Sequence, residues 1–229
     1  MRNYAYILSK SNNMNDMFYS QENQDKYLEM NIFKGFKNGF FVDVGAYDGK
    51  HINNTLYFEE TNQWTGINIE PNPSIFPCLV SNRSSINLNC AVCNHDGETE
   101  FYLNHGYTAM LSGIKGTFDE RHVHRLQYEN SIMGSTTQVV TVPTKKLETI
   151  FKEHSVTHVH YLSIDVEGGE FEVIQSIDFD KVFIDVIAFE NNYEDTSVPI
   201  LAYLESKQYI VFHKCIDIFM IHKDSIFRV

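Results

Sequence analysis

Carboxylates in this chain of 229 residues collect at the ends of short apolar runs. Asp43 stands inside FVDVGAYDG, just before Gly45, and Glu70 ends INIE before Pro71, Asn72 and Pro73. Farther on, Asp165 and Glu167 end the run in YLSIDVEGGEFEVI, and Glu190 and Asn191 end VIAFENN. An acid about 25 positions after the first glycine is placed to accept hydrogen bonds from the two hydroxyls of a ribose. Asp165, Glu167, Glu190 and Asn191 offer hard oxygens. Such a set could deprotonate a hydroxyl directly, with Asp165 or Glu167 as the base. Alternatively Asp165, Glu190 and Asn191 could hold a divalent cation, magnesium or manganese, that lowers the hydroxyl's pKa.

These residues need elements that bring them to one edge. The runs at 40–44, 65–70, 86–92, 160–166 and 186–190 are continuously apolar and are bounded by Gly, Asp or Pro. Buried parallel strands have this composition, and the stretches after Gly49, Pro73 and Gly169 are long enough for crossover helices. The runs YIVFHK and IDIFMIH near the end pair as an antiparallel hairpin. The pattern predicts an α/β fold: a Rossmann-like doubly wound sheet with an antiparallel C-terminal hairpin. Residues 1–39 are polar and Asn-rich, and a helix after Ser20 makes them an N-terminal helical cover over a domain at 40–229. Residues 97–158 interrupt the alternation with strands near TEFYL and TQVVTV and a loop-rich stretch between them, read as an insert on the substrate side.

In an open parallel sheet, ligands sit at the carboxyl ends of the strands. Ribose recognition alone does not separate a nicotinamide cofactor from S-adenosylmethionine, but the glycines do. A dinucleotide site needs Gly-x-Gly-x-x-Gly so that backbone can close on a pyrophosphate. Here Ala46, Tyr47 and Asp48 separate Gly45 from Gly49, and Asp48 puts negative charge where the pyrophosphate would lie. A ligand with a sulfonium and an ammonium tolerates those carboxylates, so S-adenosylmethionine is the cofactor expected.

The residues SQENQDKYL, FFVDVGAYDG followed by Asn54-Thr55-Leu56, INIEPNP, NCAV, MLSG at 110–113, VPTKKLETI and YLSIDVEGGEFEVI carry a resemblance. From about Ser20 to about Phe212 the chain resembles FkbM-type S-adenosylmethionine-dependent methyltransferases. That resemblance implies an O-methyltransferase acting on hydroxyls of sugars and related natural products. It implies that Asp43 and Gly45, with Ala46, lie beside the methionine moiety and that Glu70, flanked by Pro71 and Asn72, holds the ribose. It also implies that Asn89, Cys90 and Ala91 with Asp96 border the adenine, and that Gln21 and Ser112 help to close the cofactor site, with Asp165 beside it. Tyr47 departs from the small polar residue usual after Gly-Ala in the family.

The acceptor expected is a monosaccharide hydroxyl in a glycan or glycoconjugate. The insert's most basic segment, Arg121-His122-Val123-His124-Arg125, could contact it through Arg121, His122, His124 and Arg125, or could be a solvated helical face. A formal net charge of −12 disfavours nucleic acid and anionic membrane as partners. No run of 18 apolar residues and no signal-peptide pattern in MRNYAYILSK are present, so a soluble cytoplasmic chain is expected. The four cysteines are too scattered for a disulfide framework and are expected to be free thiols. A non-catalytic binding module on the same fold and a nucleotide-dependent oxidoreductase are the alternative readings.

Overall fold

The computed structural model describes residues 17–227. Five strands, β1 (Phe40–Val44), β2 (Thr65–Ile69), β3 (Ile86–Leu88), β8 (His158–Ile164) and β9 (Phe183–Glu190), form the parallel part of one sheet. Strands β10 (Tyr209–Lys214) and β11 (Asp217–His222) form the antiparallel hairpin, and β11 adds to β9. The order is β10-β11-β9-β8-β1-β2-β3. From β1 the chain winds outward through β2 to β3, and from β8 it winds the other way through β9. The sheet is therefore doubly wound, as the apolar runs predict, and its switch point lies between β1 and β8.

Both faces of this sheet are buried, which is why its strands read as continuous apolar runs. On one face Val42, Val44, Ile67, Ile69, Leu162, Ile164 and Phe189 pack against α5 (Leu147–Glu153), α6 (Glu170–Gln175) and α7 (Glu194–Ser206). On the other, Phe41, Tyr161, Val186 and Phe219 pack against α1 (Gln24–Leu28), the π-helical turn Glu29–Phe33 and α2 (Leu56–Asn62). Each fully buried Val, Leu, Ile or Phe contributes about 1.5–3 kcal/mol, so both helical layers are anchored by hydrophobic burial. The helix expected after Ser20 is present and belongs to the second layer. Residues 1–16 of the expected N-terminal cover lie outside the described residues.

The 86–92 run is not one strand. It breaks at Asn89, whose side-chain amide donates to the carbonyls of Glu70 (2.8 Å) and Pro71 (3.2 Å). After the break, β4 (Ala91–Val92) leaves the main sheet for a second, four-stranded one of order β4-β7-β5-β6. In it β5 (Gly97–His105) pairs antiparallel with β7 (Thr136–Lys145) and with β6 (Gly113–Ile114). Between β6 and β7 stands α4 (Glu120–Met133), whose N-cap Asp119 accepts from the Arg121 amide and whose C-cap is Gly134 at φ 65°. The remaining helix, α3 (Phe76–Asn82), follows β2. All four cysteines are free. Among the described residues no helix is long and apolar enough to cross a membrane.

Candidate active site

The switch point is where backbone crowding is greatest. The Asp165 amide donates to the Val44 carbonyl at 2.9 Å, so the turns after β1 and β8 touch. Gly45 sits there at φ 90°, and a Cβ on it would lie 1.7 Å from the Asp165 carbonyl oxygen. Only glycine fits both the conformation and the space.

A cavity of about 850 Å³, open solvent at its mouth included, extends from this point under the second sheet. Its floor is Val44, Gly45, Ile69, Glu70 and Pro71, and its roof includes Phe101, Leu111, Ser112 and Ile114. One end, with Cys90, Ala91, Val92, Phe101 and Leu111, is an apolar slot; the other holds Asp165, Glu167 and Glu190. Glu70 is buried between them. Its Oε1 accepts from the Asn72 amide at 2.7 Å and its Oε2 from the Tyr47 amide at 2.9 Å. Burial pushes its carboxyl up to about 7, against the pull of those two amides. The Tyr47 amide reaches Glu70 with Tyr47 itself at φ 51°.

The acids at the far end form a cluster. One carboxylate oxygen each from Asp165, Glu167 and Glu190 lie within 4.8 Å of one another. The register explains two of them, since Ile164 is opposite Phe189 and the next residue on each strand is Asp165 or Glu190. Glu167 arrives by a turn, at φ 61° ahead of Gly168 at φ 115°. The Asp165 side chain is wetted by the cavity, yet the atoms around it desolvate its carboxyl. That desolvation, with the charges of Asp217, Glu170 and Asp43, pushes it up to about 8. Burial also drives Glu167 and Glu190 well above the usual carboxylate range, and Asp165's charge adds to both.

A second cavity, of about 660 Å³ with open solvent at its mouth included, adjoins the first and shares Glu167 and Glu190 with it. Its walls come from Thr117, Phe118 and His122 around the start of α4, from Phe171 of α6, and from Tyr193 and Ile200 at α7. His122 Nδ1 lies 3.5 Å from Glu167 Oε2, a contact too long for a good hydrogen bond. His122 Nε2 and Glu167 Oε2 are buried without hydrogen-bond partners among the described residues. Burial lowers the His122 ring to about 4, with Arg125's charge adding, so it is neutral at pH 7.

Several expected site residues stand elsewhere. Asp43 shares the sheet face of Phe41, opposite Val42 and Val44, so it turns from the cavity. Its carboxylate accepts from Thr55 Oγ1 (2.8 Å) and Asn53 Nδ2 (2.9 Å), with Arg83 Nη1 at 3.9 Å. Asp43 thus ties β1 to the start of α2 and touches no ligand space. Asp96 does not line the cavity either: it accepts from the Lys146 amide and Thr149 Oγ1, both at 2.8 Å. Ala46, Asn72 and Asn89 lie behind the lining, where Asn72 and Asn89 brace Glu70. Gln21, Gly45, Glu70, Pro71, Cys90, Ala91, Ser112 and Asp165 do line it.

Asn191 lines neither cavity, and its Oδ1 is buried without a hydrogen-bond partner among the described residues; the carboxylates that converge are those of Asp165, Glu167 and Glu190. Of the basic segment only His122 lines a cavity. Arg121 bonds to Asp119 and Asp195 and lies 3.9 Å over the Tyr193 ring, Arg125 bonds to Glu129, and His124 is exposed. Phe118, Phe171 and Tyr193 have no counterpart in the sequence reading; the spacing of aromatics around the acid turns is the signal that could have found them. At the opposite end of the strands, His158, His160 and Asp185 also converge. There the Phe40 amide donates to His160 Nδ1, which puts that ring's proton on Nε2 and leaves no free nitrogen for a metal.

A doubly wound α/β fold with a buried acid lining the cavity at the end of β2 and a glycine at the switch point is an arrangement that suits a nucleoside cofactor. The chain belongs to the FkbM methyltransferase family: the methyltransferase FkbM domain matches residues 43–211. No curated protein matches it. Among solved structures it is similar to a methyltransferase FkbM from Methylobacillus flagellatus KT, at 12% identity and a TM-score of 0.48, over 82% of this chain and 44% of that one. It thus spans less than half of that relative. It is also similar to a precorrin-6y C5,15-methyltransferase from Geobacter metallireducens GS-15, at 13% identity and a TM-score of 0.43, over 90% and 92% of the two chains. A putative rRNA-methylase from Clostridium thermocellum gives 9% identity and a TM-score of 0.42, over 88% and 93%.

Membership in a methyltransferase family implies use of S-adenosylmethionine, and the first cavity fits that group. Its apolar slot suits an adenine, Glu70 suits the ribose, and the acid end suits two positive charges.

Proposed function

We propose that the chain is an S-adenosylmethionine-dependent O-methyltransferase whose acceptor is a hydroxyl, in the first instance that of a monosaccharide in a glycan or glycoconjugate. The observation that carries this reading is the acid cluster at the junction of the two cavities, where Glu167 and Glu190 face both. When bound, S-adenosylmethionine supplies an electrophilic methyl group. Glu70 would hold the ribose hydroxyls, and Cys90, Ala91, Val92 and Phe101 would enclose the base. Gly45 keeps the floor of the cavity open beside Asp165. The residues' task at the junction is to orient the acceptor oxygen toward the first cavity and to take its proton. A sugar hydroxyl is weakly acidic, so that proton needs a base at hand. Asp165, pushed up to about 8, is matched to accept one near neutral pH, and Glu167 is the competing base.

A second reading of the same cluster is favoured by its three converging oxygens: Asp165, Glu167 and Glu190 would hold a magnesium or manganese ion that lowers the hydroxyl's pKa. No nucleic-acid or membrane partner belongs to either reading, and an acidic chain suits that. Mass spectrometry of a glycan pool incubated with isotope-labelled cofactor tests the function. Label on a sugar oxygen is the expected result, and label on nitrogen, carbon or nothing counts against it. Repeating the reaction in chelator, then restoring magnesium or manganese, separates the two readings; full turnover without metal leaves direct base catalysis.

A further inference from the structure

The second cavity has a charge character that bears on what it can hold. Among the described residues four carboxylic acids line it, Asp119, Glu167, Glu170 and Glu190, and no lysine or arginine does. Arg121, next to the cavity, is held between Asp119 and Asp195, with its guanidinium stacked over Tyr193. It neutralises Asp119 and closes the wall between α4 and α7. Glu170 accepts from the Gly168 amide at 3.0 Å and Glu190 from the Asn192 side-chain amide at 2.6 Å. Those donors satisfy hydrogen bonds but bring no formal charge.

A group of acids is not by itself a binding site, but two buried polar atoms here lack partners. His122 is 2% exposed and Glu167 9% exposed, and His122 Nε2 and Glu167 Oε2 make no hydrogen bond among the described residues. Nδ1 is the His122 nitrogen nearer Glu167, and in the tautomer protonated there Nε2 is an acceptor. Glu167 Oε2 is thus an acceptor without a donor, and His122 Nε2 is a second unpartnered atom on a residue of the same cavity wall. Buried polar atoms are rarely left unsatisfied, so the cavity is shaped for a ligand that donates. Phe118, Phe171 and Tyr193 add apolar faces of the kind that pack on the C–H side of a sugar ring.

We propose that this second cavity seats the acceptor and selects a polyol that carries a protonated amine, its ammonium and hydroxyl donors taken by Glu167 and His122, while excluding acceptors that carry a carboxylate or phosphate. This rests on the O-methyltransferase reading and narrows it. It also reverses the expectation drawn from the basic segment, because the two arginines that would have welcomed an anion are paired with acids of this chain.

The test uses three probes of one shape: the methyl glycosides of glucosamine, N-acetylglucosamine and glucuronic acid. Their binding to the full chain is measured by titration calorimetry or saturation-transfer NMR, in chelator so that no divalent cation competes, with and without S-adenosylhomocysteine. The amine should bind at least about tenfold more tightly than the N-acetyl probe, the worth of one charge-assisted hydrogen bond, and the uronate should be weakest. Glu167→Gln should bring the amine and N-acetyl probes level. A uronate that binds as well as the amine, or no binding by any probe, overturns the proposal. The ranking on the unmodified protein decides by itself, even if the variant does not fold. Failure of S-adenosylhomocysteine to bind while the amine is still preferred would instead sink the methyl-transfer reading and leave the seat standing.

Discussion

Glu70 is the residue on which the cofactor assignment turns, and its surroundings set the size of the effect. Its two oxygens already hold the Asn72 and Tyr47 amides, at 2.7 and 2.9 Å, so the carboxylate both shapes the floor of the cavity and lines its open space. Glu70→Ala would orphan the buried Asn72 amide and the half-buried Tyr47 amide, at up to about 1–3 kcal/mol each, and loss of binding could then reflect loss of the fold. Glu70→Gln is the cleaner perturbation. It keeps one acceptor oxygen, sets its new amide against one backbone N–H, and removes the charge. Losing charge-assisted hydrogen bonds to the ribose costs about 1.5–3 kcal/mol, or roughly a 10- to 100-fold weaker S-adenosylhomocysteine complex by calorimetry at pH 8. The unmodified protein carries a second signature. Because burial holds the Glu70 carboxyl at about 7, acidifying below that value protonates the group that must be charged to bind. Affinity should be level above pH 7 and should fall below it, by up to about tenfold per pH unit for one proton. In Glu70→Gln that slope should vanish. A folded Glu70→Gln protein with unchanged affinity, or a pH-independent wild-type affinity between pH 8 and 6, would refute the ribose role.

Two further perturbations probe the switch point. Asp165→Asn should abolish turnover and yet stabilise the protein. A carboxyl raised in the folded state from 3.8 to about 8 makes the fold bind its proton more tightly than the unfolded chain does. Stability therefore falls as pH rises from about 4 to about 8, and the amide removes that penalty. Because the side chain is wetted by the cavity, the gain at pH 8 is discounted to about 1–2 kcal/mol, or a melting-temperature rise of about 2–8 °C in chelator. An unchanged or lower melting temperature would count against the crowded-acid picture. Gly45→Ala combines a left-handed backbone with a Cβ 1.7 Å from the Asp165 carbonyl, and should cost above about 3 kcal/mol by urea denaturation. A near-neutral result would mean that β1 and β8 are not in contact there.

The elements that position the site were legible because both faces of the main sheet are buried. Continuous apolar runs such as FFVDV and VIAFE have few other uses in a chain of this composition. Glu70, Asp165 and Glu190 could be found for a related reason, since an acid that ends such a run has left the core and reached the ligand edge. Asp43 misled because it lies one step earlier. Strand alternation puts it on Phe41's face, and its partners Asn53 and Thr55 make it structural. The basic segment misled for want of long-range information, because Arg121's partner Asp195 is distant in sequence and joins it only when α4 packs beside α7. Glu167 could be named but not placed, as its position depends on a turn at positive φ that only the following Gly168 hints at.

The acids of this protein sort by whether the fold itself answers their charge. Arg83 lies against both Asp43 and Glu59, completely buried, and holds the strand-to-helix connection after β1. Arg121 does the same for Asp119 and Asp195 at the mouth of the second cavity. At the junction of the cavities the pattern stops: among the described residues no lysine or arginine lines either space. Three carboxyls are brought together there by strand register and a strained turn, and Arg125 offsets only part of the charge on Glu167. Such crowding lowers stability, and it persists because the sheet and Gly168 leave the acids nowhere else to go. A fold that neutralises its acids one layer away and leaves these unanswered keeps a place for positive charge. A sulfonium and an ammonium on one side, and an acceptor amine on the other, would fill it.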